Sequence, residues 1–218
     1  MPGFTPLRTV LFRRALRSAL AGCRSLLDVG CGGASPLAAT GFRGPAVGVD
    51  ISAAALRDAR RSGFHRALVQ ADAAALDRVF RPRSFDAVVA LDVIEHLARE
   101  AALALVAALE RTARRRVVIF TPNGFVAQPP APDNPFQLHR SGFSSRDMRA
   151  LGYRVRGIGG LRWVCGPFAE VRWRPRALWN RVADATAPLV YRAPDLAFAL
   201  FCTKEVGAPT ASGRDRRA

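Results

Sequence analysis

The stretch LLDVGCGGAS, residues 26–35, decides the fold of this chain. Its first four residues, Leu26–Val29, form a short apolar run that is typical of a buried strand. Gly30 and Gly32 follow at once, and glycine is favoured where the backbone turns tightly and a ligand approaches it closely. A strand that leads through such a turn into a helical pattern indicates an open α/β sheet with a binding site beside the turn.

Short apolar runs alternate with helix-favouring runs over the rest of the chain. Seven runs predict strands, at residues 26–29, 46–49, 67–70, 85–91, 117–121, 153–158 and 196–203. Runs rich in Ala, Leu and Arg predict helices, at residues 36–40, 53–62, 74–80, 98–112 and 144–151. This alternation predicts a doubly wound α/β fold, in which a mostly parallel, seven-stranded sheet has helices on both faces.

The composition excludes several classes of protein and leaves one open question about charge. Apolar residues make up 50% of the 218 residues, which is too many for a disordered chain. The net charge of +16 is typical of proteins that bind nucleic acids or anionic membranes. However, Lys204 is the only lysine, and the arginines are scattered without an interleaved stripe of aromatic residues. We therefore interpret the charge mainly as codon bias, so a nucleic-acid partner is an alternative that we do not favour.

The four cysteines give no sign of a disulfide framework or a metal site. Cys23, Cys31, Cys165 and Cys202 are far apart in the chain, and no two of them have the spacing of metal ligands. Free thiols in a reducing compartment are the default for a chain of this length. We therefore predict a cytoplasmic protein.

Three regions differ in pattern from the central domain, which we place at residues 23–205. Residues 1–22 predict an amphipathic helix, for which packing on the domain is the favoured interpretation and peripheral contact with a membrane is the alternative. Residues 122–143 begin with a proline-rich run and predict a mobile lid. Residues 206–218 predict a disordered basic tail.

Acidic residues lie at the carboxyl ends of the predicted strands. Asp50 ends the second strand, where a carboxylate accepts hydrogen bonds from both hydroxyls of a ribose. Asp72 follows the third strand and suits an exocyclic amine such as N6 of adenine, although it is also placed to cap a helix, and the two roles are compatible. Asp28 lies two residues before Gly30, where it would repel a pyrophosphate, which argues against a dinucleotide.

These segments, in this order and at this spacing, resemble the class I (Rossmann-like) S-adenosylmethionine-dependent methyltransferases. The motifs DVGCG at residues 28–32 and IEHL at residues 94–97 are most similar to the broad group that acts on small molecules. The resemblance covers residues 24–121 well and the remainder in outline. It implies an enzyme with S-adenosylmethionine as cofactor and an antiparallel last strand in the sheet.

The resemblance implies roles for residues of the first two motifs. Asp28, Gly30 and Gly32 would line the methionine and ribose part of the cofactor. A carboxylate at Asp28 suits the positive charges of the sulfonium and the ammonium group. Asp50 would bind the ribose hydroxyls, and Ile51 would pack on the adenine.

The later motifs complete the predicted cofactor site. Asp72 and the backbone of Ala73 would contact the edge of the adenine, and Asp92 and Val93 would close the methionine side. The family often has a third glycine where Ala34 stands here. Because alanine is small, we expect a slightly different turn and not a loss of binding.

Two histidines are the candidate catalytic residues. In related proteins a histidine at the place of His139 often faces the acceptor, and a neutral imidazole there would take the proton from an attacking hydroxyl. His96, at the start of a helix, is the second candidate, and a structural role is the alternative for both. In one RNA-methylating branch a Glu/His cluster binds a metal, and Glu95, His96 and His139 are the corresponding candidates. We predict no metal site, because no further acid is apparent once Asp92 faces the cofactor.

Three functions fit the sequence. The favoured one is transfer of a methyl group to a small-molecule acceptor, with the aromatic residues Phe125, Phe136, Phe143, Trp163 and Trp173 as walls of an apolar pocket or as part of the core. The second is methylation of RNA or protein, which would use the basic surface. The third is a cofactor-binding module without catalysis. The sequence does not decide the oligomeric state.

Overall fold

The computed structural model describes residues 4–128, 135–166 and 169–207. Its centre is a seven-stranded sheet with the order β3-β2-β1-β4-β5-β7-β6. The strands are β1 (Leu26–Val29), β2 (Ala46–Asp50), β3 (Ala67–Gln70), β4 (Phe85–Leu91), β5 (Ala113–Pro122), β6 (Arg154–Leu161) and β7 (Ala197–Glu205).

The first five strands are parallel, and β7 lies antiparallel between β5 and β6. The predicted α/β fold with an antiparallel last strand is therefore confirmed. The order in which strands are added to the sheet changes at β1. The chain first adds β2 and β3 on one side of β1, and it then adds β4 and β5 on the other side. Open α/β sheets bind ligands at the carboxyl ends of the strands on either side of such a change.

Helices cover both faces of the sheet. They are α1 (Pro6–Ala19), α2 (Ala53–Ser62), α3 (Leu76–Val79), α4 (Arg99–Thr112), α5 (Ser145–Ala150), α6 (Arg176–Ala185) and α7 (Ala187–Arg192). One apolar core lies between the sheet and α3, α4 and α5, and includes Leu105 and Leu109. The other lies under α1 and α6, where the ring centroid of Phe12 is 4.8 Å from that of Phe120. Two separate cores hold the sheet rigid, so side chains at its edge keep fixed positions.

Arg8 joins α1 to α6. Its side chain is 1% exposed, and its Nε lies 2.9 Å from Asp184 Oδ1. Its Nη2 donates to Asn180 Oδ1 at 2.7 Å, and Thr5, which caps α1, donates to the same Asp184 oxygen at 2.6 Å. The helix therefore packs on the domain, although Leu7 and Val10 on its outer face remain exposed. None of the helices described is long and apolar enough to cross a membrane.

Some elements differ from the sequence-based expectation. The sequence analysis does not predict α6 and α7, since α6 mixes Trp179 with two arginines and α7 has only six residues. The run at Pro36–Thr40 is a 3₁₀ turn, which follows the cap Ser35 and ends at Gly41 in the left-handed region. Part of the predicted lid, residues 129–134, and most of the predicted tail, residues 208–218, lie outside the described residues.

Candidate functional site

Two adjoining cavities open at the carboxyl edge of the parallel strands. The β2–β3 cavity has a volume of about 560 Å³ and lies beyond the ends of those two strands. The β4–β5 cavity has a volume of about 400 Å³ and lies beside the ends of β4 and β5. Both volumes suit a bound small molecule. Gly30, Gly32, Asp92 and His96 line both cavities, so a ligand in one can meet a ligand in the other.

The turn after β1 needs glycine at two positions for different reasons. Gly30 and Gly32 have φ values of +67° and +57°, in the left-handed region that side chains disfavour. A Cβ at Gly30 would lie 2.5 Å from Cγ2 of Val93, which is a clash. A Cβ at Gly32 would meet no atom within 4 Å, because it would project into open space at the cavity wall. The backbone at Gly32 is therefore accessible to a ligand.

Asp50 is tied to this turn by its carboxylate. Its Oδ2 accepts from the Gly32 N–H at 2.9 Å, and its Oδ1 accepts from the Ser52 N–H at 2.8 Å. Each carboxylate oxygen has a further lone pair for a ligand hydroxyl. Asp50 lines the β2–β3 cavity, so the predicted ribose acceptor is present and its orientation is fixed.

Of the remaining predicted cofactor residues, Asp28 lines the β4–β5 cavity, Asp92 lines both cavities, and the others line the β2–β3 cavity. Ile51, Asp72, Ala73 and Val93 all line it. Ile51 is 36% exposed, which leaves an apolar surface open to a ring. Asp72 accepts from the Ala74 N–H at 2.9 Å and so caps the 3₁₀ turn that follows β3, while its side chain stays exposed. Its two predicted roles are therefore compatible in the structure.

Asp28 contacts a histidine that the sequence analysis did not single out. His65 Nε2 lies 2.9 Å from Asp28 Oδ2, and the two side chains are 1% and 3% exposed. Asp28 pairs with Gly48 of the neighbouring strand, and a Cβ at Gly48 would lie 3.0 Å from Cδ2 of His65. The absence of a side chain at Gly48 thus leaves room for the contact. No motif could have indicated it, since the partners are 37 residues apart.

Asp92 and Glu95 bring two carboxyl groups together after β4. Asp92 has a φ of +54°, a costly conformation for a residue with a Cβ, and its carboxyl lies within hydrogen-bonding distance of that of Glu95. Glu95 is 1% exposed, and its Oε2 accepts from Thr121 Oγ1 at 3.1 Å. Burial, and then the charge of Asp92, raise the pKa of Glu95 well above its usual range. Asp92 itself is exposed at the wall that the two cavities share.

His96 and His139 lie side by side in the β4–β5 cavity, with their ring centroids 4.9 Å apart. His139 Nδ1 is 2.6 Å from the carbonyl oxygen of Val126, and His96 Nδ1 is 3.4 Å from that of Leu138. Because a carbonyl only accepts, the contact with Val126 assigns the proton of His139 to Nδ1 and leaves its Nε2 lone pair available, whereas the ring of His96 also contacts the backbone of Gln137 and Asp92. Desolvation lowers the pKa of both rings, and the charge of His139 lowers that of His96 further, so both are neutral at pH 7.

The aromatic residues that the sequence offered as pocket walls are distributed differently. Phe143 is fully buried in the core, and Trp173 packs against Trp179 with ring centroids 4.5 Å apart. Phe136 lines the β2–β3 cavity instead. Among the described residues, the apolar walls of the β4–β5 cavity are Phe4, Leu91, Phe120, Pro122, Val126, Ala169, Phe198 and Ala199.

Comparisons with known proteins agree with this fold. A family model described as a methyltransferase domain matches residues 27–120. No curated protein sequence matches the chain. Among solved structures, a SAM-dependent methyltransferase from Archaeoglobus fulgidus is similar with a TM-score of 0.55 and 19% identity, over 90% of this chain and 94% of that one.

Two further solved structures are similar over most of their lengths. The methyltransferase domain of bacterial CtHen1-C has a TM-score of 0.56 and 18% identity, over 93% of this chain and 98% of that one. The plantazolicin methyltransferase BamL, in complex with a triazolic desmethylPZN analogue and SAH, has a TM-score of 0.57 and 13% identity, over 93% of this chain and 85% of that one. At these identities the structures establish the fold.

Residues 27–120 thus match a methyltransferase-domain family, within a fold that solved SAM-dependent methyltransferases share. The matched domain indicates an enzyme, and the similar solved structures include S-adenosylmethionine-dependent methyltransferases, one of them with bound SAM. The roles of individual residues toward that cofactor stay predictions, since they come from the resemblance of the motifs.

Proposed function

We propose that the protein transfers the methyl group of S-adenosylmethionine to a small-molecule acceptor with a hydroxyl or a similar nucleophile. The observation that carries this proposal is the junction of the two cavities. The predicted cofactor residues Asp50 and Asp72 line one cavity, and His139 lines the other. Asp92 and His96 lie on the wall that both share, where a methyl group would pass from cofactor to acceptor.

The reaction asks the protein mainly for alignment. The residues that line the β2–β3 cavity, Asp50 and Asp72 among them, would hold the cofactor, which would supply an activated methyl group. The acceptor oxygen attacks the methyl carbon in line with the carbon–sulfur bond, and that bond breaks as the oxygen–carbon bond forms. S-adenosylhomocysteine leaves with the bonding electrons. Holding the two reactants in this geometry and excluding water accounts for a large part of the lowering of the activation barrier.

The acceptor loses a proton in this reaction, and His139 is the proposed base. Its Nδ1 is held by the carbonyl of Val126, which leaves Nε2 to accept the proton. A neutral ring is required, and the desolvation that lowers the pKa of His139 supplies it. His96 is the second candidate, since its ring lies beside that of His139.

The shape of the β4–β5 cavity supports a small and partly apolar acceptor, such as a natural product, a quinone or a lipid-like molecule. Phe120, Val126 and Phe198 contribute apolar walls, whereas the polar groups cluster near Asp92. The cysteines are all free, which supports a reducing, cytoplasmic setting for the reaction.

Transfer of a radioactive methyl group tests the proposal. The protein is incubated with labelled S-adenosylmethionine and a cell extract, which is separated afterwards into small molecules, nucleic acid and protein. We expect label in the small-molecule fraction, unchanged by prior treatment with nuclease or protease. We expect weaker labelling with Asp50→Ala that a higher concentration of S-adenosylmethionine restores, and slower labelling but full cofactor affinity with His139→Ala. Label that disappears after nuclease treatment would instead identify a nucleic-acid methyltransferase.

A further inference from the structure

We propose that the acceptor carries an anionic group, a carboxylate or a phosphate, and that Arg162 and Arg172 bind this group. The inference rests on the proposed transfer to a small molecule, and it names the class of that molecule as an organic acid whose nucleophile lies at its other end. The two arginines line a third cavity, the arginine cavity, which has a volume of about 380 Å³. Its other described walls are Asn123, Phe125, Val126, Ala127, Cys165 and Phe198.

The arginine cavity adjoins the proposed acceptor cavity. Val126 and Phe198 line both it and the β4–β5 cavity, where His139 lies. Phe198 is a buried residue of β7, and Val126 is half-buried in the predicted lid. An acceptor that presents its nucleophile to His139 can therefore extend past these two apolar side chains, so that its far end lies in the arginine cavity.

The two cavities differ in the sign of their charge. Asp28 and Asp92 line the β4–β5 cavity, whereas no acid is among the described residues that line the arginine cavity. An anionic group on the acceptor is therefore repelled from the end where the methyl group is transferred and attracted to the other end. The apolar walls Phe125 and Phe198 strengthen this attraction, because they lower the local dielectric constant. The charges would thus orient the acceptor as well as bind it.

Both guanidinium groups have donors left for a ligand. Nε of Arg172 donates to the carbonyl oxygen of Cys165 at 2.7 Å, which fixes the guanidinium and leaves its Nη groups for a ligand. Arg162 lies in the turn at residues 162–164, and the Arg172 N–H donates to the carbonyl oxygen of Val164 in that turn at 2.9 Å. Within the described part of the chain, neither arginine forms an ion pair with a carboxylate. Guanidinium N–H groups bind carboxylate or phosphate oxygens in pairs.

Position, and not charge alone, distinguishes these two arginines from the many others of the chain. Arg154 is also exposed, and it too has no ion pair among the described residues. However, it lies at the start of β6 and lines none of the three cavities. Arg154→Gln therefore removes the same charge without altering a cavity wall, and it is the matched control.

Binding of simple probes tests the site before the acceptor is known. Octanoate, octyl phosphate and the neutral octanamide share an apolar chain, and each is titrated by calorimetry into the full chain saturated with S-adenosylhomocysteine. We expect at least one of the two anions to bind about 10-fold more tightly than octanamide, with a preference that falls as the salt concentration rises. The anion that binds more tightly identifies the group as carboxylate or phosphate.

The variants show whether the two arginines cause this preference. The double variant Arg162→Gln/Arg172→Gln should lose it, Arg154→Gln should keep it, and both should bind S-adenosylhomocysteine as the parent does. Arg162→Gln alone, which breaks no hydrogen bond of the described structure, should reduce the preference and covers the case in which loss of the Arg172 contact with Cys165 prevents folding. No preference for the anions in the parent, or an equal preference in the double variant, would overturn the proposal.

The labelled products separate this inference from the proposed function. Small molecules that receive label from S-adenosylmethionine are passed over an anion exchanger at neutral pH, and we expect them to be retained, because methylation of the nucleophile leaves the anionic group intact. The double variant should form less of the retained product, and a higher concentration of extract should restore it. Labelled small molecules that pass unretained would overturn the inference and leave the proposed function standing, whereas label in nucleic acid or protein would overturn both.

Discussion

His65 Nε2 lies 2.9 Å from Asp28 Oδ2, and this contact is closed to solvent on both sides. The acid of the glycine-rich motif therefore has a partner inside the protein before any cofactor binds. Because Asp28 also lines the β4–β5 cavity, the contact fixes the direction of a carboxylate at the proposed site of chemistry. His65 lies just before β3 and Asp28 lies in β1, so the contact spans β2 at Gly48.

Loss of this partner should destabilise the fold. His65→Ala leaves the buried carboxylate of Asp28 without its hydrogen bond, for which we expect a loss of roughly 1–3 kcal/mol in the free energy of unfolding. Urea denaturation measures it. Arg61→Ala removes a contact of similar length to Asp58, but on the exposed surface, and should change little. Equal effects of the two substitutions would show that the His65–Asp28 contact is not structural.

The glycine turn offers a matched pair of substitutions. Gly32 and Gly63 both have positive φ, and at both positions a Cβ would lie in free space, but only Gly32 lines the cavities. Gly32→Val and Gly63→Val should therefore show similar strain, about 1–2 kcal/mol of stability. Only Gly32→Val should abolish binding of S-adenosylhomocysteine in calorimetry. Normal binding by that variant would place the cofactor elsewhere.

Asp50 should account for much of the cofactor affinity. Asp50→Ala removes the acceptor of the ribose hydroxyls and also the partner of the Gly32 N–H, so we expect a loss of ~1–3 kcal/mol in binding free energy. Calorimetry with S-adenosylhomocysteine measures it. Asp77→Ala changes an exposed acid paired with Arg111, outside both cavities, and is the control. An unchanged affinity of Asp50→Ala would contradict the assigned role.

Asp86 should make stability depend on acid pH. It accepts from the Arg24 N–H at 2.8 Å and from Arg114 Nη1 at 2.9 Å. Burial alone would raise its pKa, but these donors outweigh burial and set the pKa below its usual value. A depressed pKa means stabilisation above the unfolded-state value, ~3.9, that disappears as the pH falls through the folded-state value.

The substitution that tests this is Asp86→Asn. It should lower the free energy of unfolding at neutral pH and make its decline below pH ~4 less steep. Denaturation curves at several pH values give both quantities, with Asp77→Asn as the exposed control. A parallel decline in the parent and in Asp86→Asn would refute the assignment.

The predicted lid at 122–143 should move only in its middle part. Asn123 is buried and donates to the carbonyls of Pro194 and Ala197, and the fully buried Phe143 accepts from the Gly124 N–H at 2.9 Å. Hydrogen exchange at residues 125–128 and 135–139 should therefore slow when cofactor and acceptor bind, with no change at the two ends. Equal exchange with and without ligands in the middle part would refute a lid.

The sequence predicted the sheet and the residues around the β2–β3 cavity because their signals are local. A strand, a glycine turn and an acid at a strand end each occupy a few consecutive residues, so Asp50 and Gly32 could be identified from spacing and family resemblance. Contacts between distant segments leave no such pattern. His65 with Asp28, Arg8 with Asp184, and Glu95 with His139 depend on how the sheet brings them together, and only the fold shows them.

The two cavities draw on different parts of the chain. Apart from Phe136, Gln137 and Arg140, the β2–β3 cavity is built from residues 30–97, within the stretch that matches the methyltransferase-domain family. The β4–β5 cavity takes much of its wall from Phe4 and from residues beyond that match, including Val126 and Phe198. Acceptor preference can therefore diverge without loss of the cofactor, and exchange of the 125–139 segment with that of another methyltransferase is a direct route to a chimera with altered selectivity.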